Sequence, residues 1–133
     1  MDDLGDLVRL PLLAVLATYR PDGTVLLSPV WHEWRDGGFG VVTDSRGVKA
    51  AHLRRDPRAS IVVCEHSPPY RGAELRCTAQ LLTTGVSDVV SRIASRYLGP
   101  RAGAAYADTA RDDLLIRLEP GDLRAWDFAD EYS

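Results

Sequence analysis

Strand-length runs of apolar and β-branched residues, each closed by a turn signal, recur along this chain and limit its fold more than any other feature. Leu12–Tyr19 runs into Arg20-Pro21-Asp22-Gly23, with proline and glycine where a tight turn wants them. Thr24–Trp34 ends at a second tight turn, Asp36-Gly37-Gly38, and Phe39–Thr43 completes what reads as an antiparallel meander of three strands. Ala59–Glu65 and Ala73–Thr84 follow as strands on either side of a loop at His66–Gly72. Asp113–Leu118 and Leu123–Phe128 read as closing strands around the turn Glu119-Pro120-Gly121-Asp122. Between the strands lie short helices. Asp2–Arg9 places Leu4, Leu7 and Val8 on one face, and Arg46–Arg55 is stopped by Asp56-Pro57. Val86–Leu98 carries Val89, Val90, Ile93, Ala94 and Tyr97 at helical spacing before Gly99-Pro100, and residues 101–110 are alanine-rich. Six or seven mostly antiparallel strands with a few short helices predict one mainly β domain over residues 1–133, a small barrel with helices at its ends. The helix pair that interrupts the strands speaks against a sandwich.

Composition narrows the class. Apolar content of 45% and charged content of 26% suit a soluble globular chain. A net charge of −3 gives no reason to expect a nucleic-acid partner. No run approaches the roughly 20 apolar residues of a membrane span. The apolar run Leu10–Ala17 follows an acidic start, Asp2-Asp3-Leu4-Gly5-Asp6, unlike a signal peptide, so a cytoplasmic protein is expected. Cys64 and Cys77 fall on different strands without metal-ligand spacing and read as reduced core residues.

Lys49 stands out chemically. It is the only lysine among sixteen basic residues. It sits in Thr43-Asp44-Ser45-Arg46-Gly47-Val48-Lys49, where a strand feeds a hydroxyl- and cation-bearing loop into a helix start, a natural phosphate-binding arrangement. The residues alone also allow a solvated lysine on a surface helix. The cluster Arg54, Arg55 and Arg58 allows a solvated face in the same way.

The order of these segments resembles the pyridoxamine 5′-phosphate oxidase-like family. The resemblance is carried by Ala17-Thr18, Asp22-Gly23, Ser28-Pro29-Val30-Trp31, Thr43, Ser45-Arg46, Lys49 and Leu53-Arg54-Arg55-Asp56-Pro57. It continues through Pro69-Tyr70, Glu74, Tyr97-Leu98-Gly99-Pro100 and Leu123-Arg124-Ala125-Trp126. The short length and the Leu-Arg-Arg-Asp-Pro segment are most similar to the branch that uses the deazaflavin coenzyme F420; other branches bind FMN, and a few bind haem. One departure concerns substrate. Many relatives carry Gly-x-Pro-His where this chain reads Gly23-Thr24-Val25-Leu26.

The resemblance implies a split β-barrel (FMN-binding split barrel-like) that is a homodimer, with cofactor sites between subunits. It implies that Thr43, Ser45, Arg46 and Lys49 hold the cofactor phosphate and that Ser28, Pro29 and Val30 face the tricyclic ring. Arg54, with Arg55 and Arg58, would extend a cationic groove for the deazaflavin tail. Tyr70 and Arg71 would close the site from the neighbouring subunit, and Trp126 either lines the pocket from there or anchors the core or a dimer interface. His32 is the one candidate proton donor, although a histidine on a strand face is commonly packed. His52 is expected to be exposed, and Trp31 and Trp34 to anchor the core or a dimer interface. Glu74 and Arg76 share a strand face and are expected to pair.

Three readings follow. The first is an F420-dependent oxidoreductase that passes a hydride to an electron-poor unsaturated small molecule, quinone- or tetrapyrrole-like. The second keeps the fold and changes the cofactor to FMN. The third is a protein that binds a flavin or deazaflavin and turns nothing over.

Overall fold

In the computed structural model, residues 6–109 and 112–128 are described. Their strands are β1 (Ala14–Tyr19), β2 (Val25–Val30), β3 (Glu33–Arg35), β4 (Gly38–Asp44), β5 (Arg58–Cys64), β6 (Gly72–Leu82) and β7 (Asp113–Trp126). The helices are α1 (Val48–Arg55), α2 (Val86–Leu98) and α3 (Pro100–Thr109), with a 3-10 turn at Leu7–Arg9. The expected N-terminal helix lies partly outside the described residues. All strand pairs are antiparallel, in the order β2-β1-β5-β6-β7-β4-β3.

The connection between β2 and β3 sets the shape. These strands are the two edges of the sheet, yet only Trp31 and His32 separate them. Six strand spacings in a flat sheet would hold the edges about 29 Å apart. Three Cα steps reach at most about 11 Å. The sheet therefore has to curl until its edges nearly meet, giving a barrel whose wall is open between β2 and β4. The three-strand meander expected from sequence is thus corrected. Thr24–Trp34 is two strands: β2 pairs with β1, and β3 pairs with β4. The turn was placed correctly. Asp36 and Gly37 adopt φ of 52° and 75° in the two-residue connection from Arg35 to Gly38.

A second correction falls at the end of the chain. The two expected closing strands are one long strand, β7. Its ladder to β6 runs Leu75↔Leu123 and then Cys77↔Pro120, so Gly121 and Asp122 oppose Arg76 alone. The Pro-Gly signal marks a bulge here instead of a reversal. A Cβ on Gly121 would meet the Arg76 carbonyl oxygen at 3.0 Å, so the bulge suits glycine.

Alternation fills the barrel. Leu16, Phe39, Val41, Ile61, Val63, Leu75, Ile116 and Leu118 are all fully buried. Helix α1 packs on β1, β4 and β6, burying Ala50, His52 and Leu53. His52 is thus not exposed; its Nδ1 lies 2.9 Å from the Thr18 hydroxyl, which satisfies two polar groups inside the wall. Helix α2 lays Val89, Val90, Ile93 and Ala94 inward. Helix α3 crosses so close that a Cβ on Gly103 would collide with Ser95. Cys77 is buried, and Cys64 is half-buried and likewise free. Glu74 reaches Arg124 on β7 at 3.3 Å and not Arg76.

Among the described residues Phe39 is the largest fully buried side chain. Phe39→Ala is expected to lower stability by about 3–5 kcal/mol. Urea unfolding should show a lower midpoint at an unchanged slope. A loss below about 1 kcal/mol would mean that the barrel interior is not packed around this ring.

Candidate functional site

The opening in the barrel wall is also a cleft. Beyond the short β3, the β4 edge opposite β7 carries no strand, and β2 has a free edge along its length. A cleft of about 370 Å³ lies there. Pro29 and Val30 of β2 form one wall and Val42 of β4 another. Leu13, Trp31 and Tyr106 add apolar surface, and Lys49 on α1 supplies the only charged side chain of the lining among the described residues. Trp31 and Tyr106 connect it to a second cavity, which also includes Thr43.

The fold thus gathers four of the expected site residues, Pro29, Val30, Lys49 and, in the adjoining cavity, Thr43. Ser28 alternates inward and is buried on the barrel side. The 44–47 loop is built to present α1. The Asp44 carboxylate accepts the Arg46 N–H at 2.9 Å, the Asp44 carbonyl accepts the Gly47 N–H at 2.9 Å, and the Ser45 N–H donates to the Asp112 carbonyl at 2.9 Å. Gly47 caps α1 without a side-chain bond, so the first-turn N–H groups have no partner within the helix. They add the positive end of the helix dipole to the Lys49 ammonium. Arg46 is exposed beside them.

The other expected cations are engaged elsewhere. Arg54 donates to the Ser45 carbonyl at 2.9 Å and braces the loop. Arg55 donates to the Tyr19 carbonyl at 2.6 Å. Arg58 pairs with Asp56 at 2.8 Å and lies over the Tyr19 ring. The three do not form one free row. Tyr70, Arg71 and Trp126 line none of this chain's cleft. Arg71 bridges Glu65 at 2.9 Å and Asp6 at 3.2 Å, which fixes the 65–71 loop. Trp126 packs against Gly72, with the Arg124 guanidinium 4.8 Å from its ring centre.

His32 is fully buried. Its Nε2 lies 3.1 Å from the Leu12 carbonyl, and its ring meets Phe39 and Tyr97 edge-on. The junction around it is held by α2. Arg96 donates to the His32 carbonyl and to those of Arg9 and Leu10, and the Tyr97 hydroxyl donates to Leu12 at 2.8 Å. Tyr97 also stacks on Trp31 at 5.0 Å and 7°. Burial first, then the Arg96 charge, push the His32 pKa down from 6.5 to about 4. The ring is neutral at pH 7, and this geometry suits packing better than proton delivery.

Sequence reasoning had not assigned Leu13, Val42 or Tyr106 to the cleft. Tyr106 carried a signal, being the only aromatic residue of the alanine-rich helix.

The pyridoxamine 5′-phosphate oxidase family matches residues 2–127, and the chain belongs to that family. Conserved hypothetical protein Rv2991 from Mycobacterium tuberculosis superposes with a TM-score of 0.83 at 24% identity, covering 99% of this chain and 87% of that one. A structure described as an F420 reductase gives a TM-score of 0.75 at 23% identity, covering 90% and 94%. The haem storage protein HutZ from Vibrio cholerae gives 0.70 at 18%, covering 92% of each. These likenesses establish the split-barrel fold. No curated protein sequence is significantly similar to the chain.

The His32 shift makes stability depend on pH. The unfolded histidine takes a proton near pH 6.5 and the folded one only near pH 4. Its contribution is complete above pH 6.5 and falls as pH drops from 6.5 to 4, by up to about 3 kcal/mol. Urea midpoints of wild type and His32→Gln at several pH values read this directly. The wild type should lose more stability across that window, and parallel profiles would contradict the burial of a neutral ring.

Proposed function

We propose that this chain is a flavin-type oxidoreductase that uses the deazaflavin coenzyme F420 to reduce an unsaturated small molecule, quinone- or tetrapyrrole-like. The observation that carries the reading is the composition of the cleft: an apolar slot along a free strand edge, with the sole lysine and a helix N-terminus at its mouth. These residues fit a planar ring that ends in a phosphate-bearing chain. Family membership and the structural likeness to an F420 reductase support the choice.

Each residue has a stated part. Lys49, with Arg46, Ser45 and the first-turn amides of α1, binds the phosphate, while Thr43 faces the adjoining cavity and takes no part. Pro29 and Val30 form the ring wall, and Val42 and Trp31 exclude water from the opposite side. Arg54 holds the Ser45 loop in place. When bound, the deazaflavin supplies a hydride and the protein supplies position. The acceptor would lie against the ring in the slot, which these residues keep dry, and solvent at the open end would be available as the proton source. Buried His32 is not required as the donor.

The site is completed by a second copy of this chain. Leu13, Val15, Val25 and Leu27 are exposed on β1 and β2 or just before them, Leu27 at 66%. This apolar face runs up to Pro29 and Leu13, which line the cleft. A homodimer formed there would shelter both the face and the slot. In this reading Tyr70, Arg71 and Trp126 of each chain close the partner's cleft. FMN is the alternative cofactor, favoured by the engagement of Arg54, Arg55 and Arg58, which leaves a shorter cationic track for a long anionic tail.

Lys49→Ala is expected to weaken cofactor binding by about 1.5–3 kcal/mol, the scale of one charge-assisted hydrogen bond, with the fold intact. Wild-type affinity in this variant would remove the phosphate assignment. Leu27→Glu should shift the protein to monomer in sedimentation and weaken cofactor binding with it. An unchanged dimer would place the interface elsewhere. Oxidation of reduced F420 in the presence of a soluble quinone separates an enzyme from a carrier, since a carrier binds without turnover.

A further inference from the structure

The second cavity, about 260 Å³, has a different character from the cleft. Its side wall is the inward face of α2, Val90, Ile93 and Ala94, set against Val42. Trp31 and Tyr106 form the partition with the cleft, their rings 5.6 Å apart and tilted by 53°. Tyr97 stacks on the Trp31 indole and holds it in place. At the far end stand two carboxylates, Asp44 and Asp113.

Those carboxylates are directly opposite each other in the β4–β7 ladder. Like charges in that relation repel. Among the described residues neither forms an ion pair, and Asp44 has only the Arg46 backbone N–H at 2.9 Å. Burial, then the charges of Asp44 and Asp112, raise the pKa of Asp113. The fold thus puts two acids that have no ion-pair partner among the described residues, Asp44 exposed and Asp113 half-buried, in the lining of an apolar, aromatic-walled chamber. A bare metal ion is a poor match, because among the described residues no three His, Cys, Asp or Glu side chains are grouped for one. The apolar walls would also go unused.

We propose that this cavity binds a small organic cation, an aromatic or extended apolar body ending in a protonated amine. The body lies along α2 and against Trp31, and the ammonium sits between Asp44 and Asp113. The two lobes then have opposite polarity: Lys49 marks an anion end in the cleft, and the acids mark a cation end in the cavity. The proposal rests on the reading of the cleft as the cofactor site only in naming this ligand as the acceptor. In that case Trp31, Val42 and Tyr106, common to both lobes, bring the acceptor against the cofactor ring.

The test uses cofactor-free protein and calorimetry with three probes of one ring size: naphthylmethylamine, naphthalenemethanol and naphthoate. The amine is expected to bind about 10-fold or more tightly than the alcohol, with the carboxylate weakest, as one charge-assisted contact implies. Asp113→Asn, which relieves repulsion and should fold, is expected to abolish most of that preference. Ala94→Phe, which fills the chamber but keeps both acids, should weaken all probes together. Equal affinity for amine and alcohol would overturn the proposal, as would an amine preference that survives in Asp113→Asn or binding of magnesium alone that displaces the amine. If the amine preference holds while the protein binds no F420 or FMN, the cofactor reading fails and the cavity assignment stands. Cofactor binding without amine preference gives the reverse.

Discussion

The two-residue span from β2 to β3 is the constraint on which the rest depends. It ties the opposite edges of a seven-stranded sheet, so the sheet closes on itself and leaves one gap. The gap is where the wall has free backbone edges, an apolar lining and access to α1. Everything that supports the span also shapes the site. Arg96 and Tyr97 of α2 hold the junction carbonyls, His32 is buried inward, and Trp31 projects into the cleft, stacked on Tyr97. Adjacent residues have opposite fates here because the junction turns one side chain in and the next out.

Much of this was legible in the sequence, for identifiable reasons. Helix α2 is found at Val86–Leu98, where the 3.6-residue period and Gly85 and Gly99 define both ends. The Asp36-Gly37 turn, the Asp56-Pro57 stop and the strand-length runs are local signals, and the structure follows them. What failed was non-local. Nothing within Thr24–Trp34 says that the chain changes sheet edges midway, since that depends on strands formed later. The Glu119-Pro120-Gly121-Asp122 segment carries turn chemistry, but pairing with β6 on both sides makes it a bulge. His52 looks solvated beside Arg54 and Arg55, yet a buried hydroxyl at Thr18 receives it.

The candidate site shows the same division. Lys49 could be singled out by composition and by the loop before it, and the fold places it at the mouth of the slot with Pro29 and Val30. The arginines could not be sorted in this way. A cluster such as Arg54, Arg55 and Arg58 reads as one cationic face, but each side chain is long enough to find its own carbonyl, carboxylate or ring. The acids tell a similar story. Asp44 and Asp113 are far apart in sequence and meet only because β4 and β7 pair.

The central claim is that the gap in the barrel wall holds the ring and phosphate of a flavin-type cofactor. Its most direct test is a titration of the purified protein with coenzyme F420 and with FMN, followed by tryptophan emission in wild type and in Trp31→Phe. Trp31 lines the cleft, whereas Trp34 and Trp126 do not. The account predicts saturable quenching at about micromolar or lower F420, with FMN weaker, and a clear reduction of the quenching in Trp31→Phe, the remainder coming from the partner's Trp126. Absence of binding by either cofactor, or quenching that persists undiminished without Trp31, would contradict it.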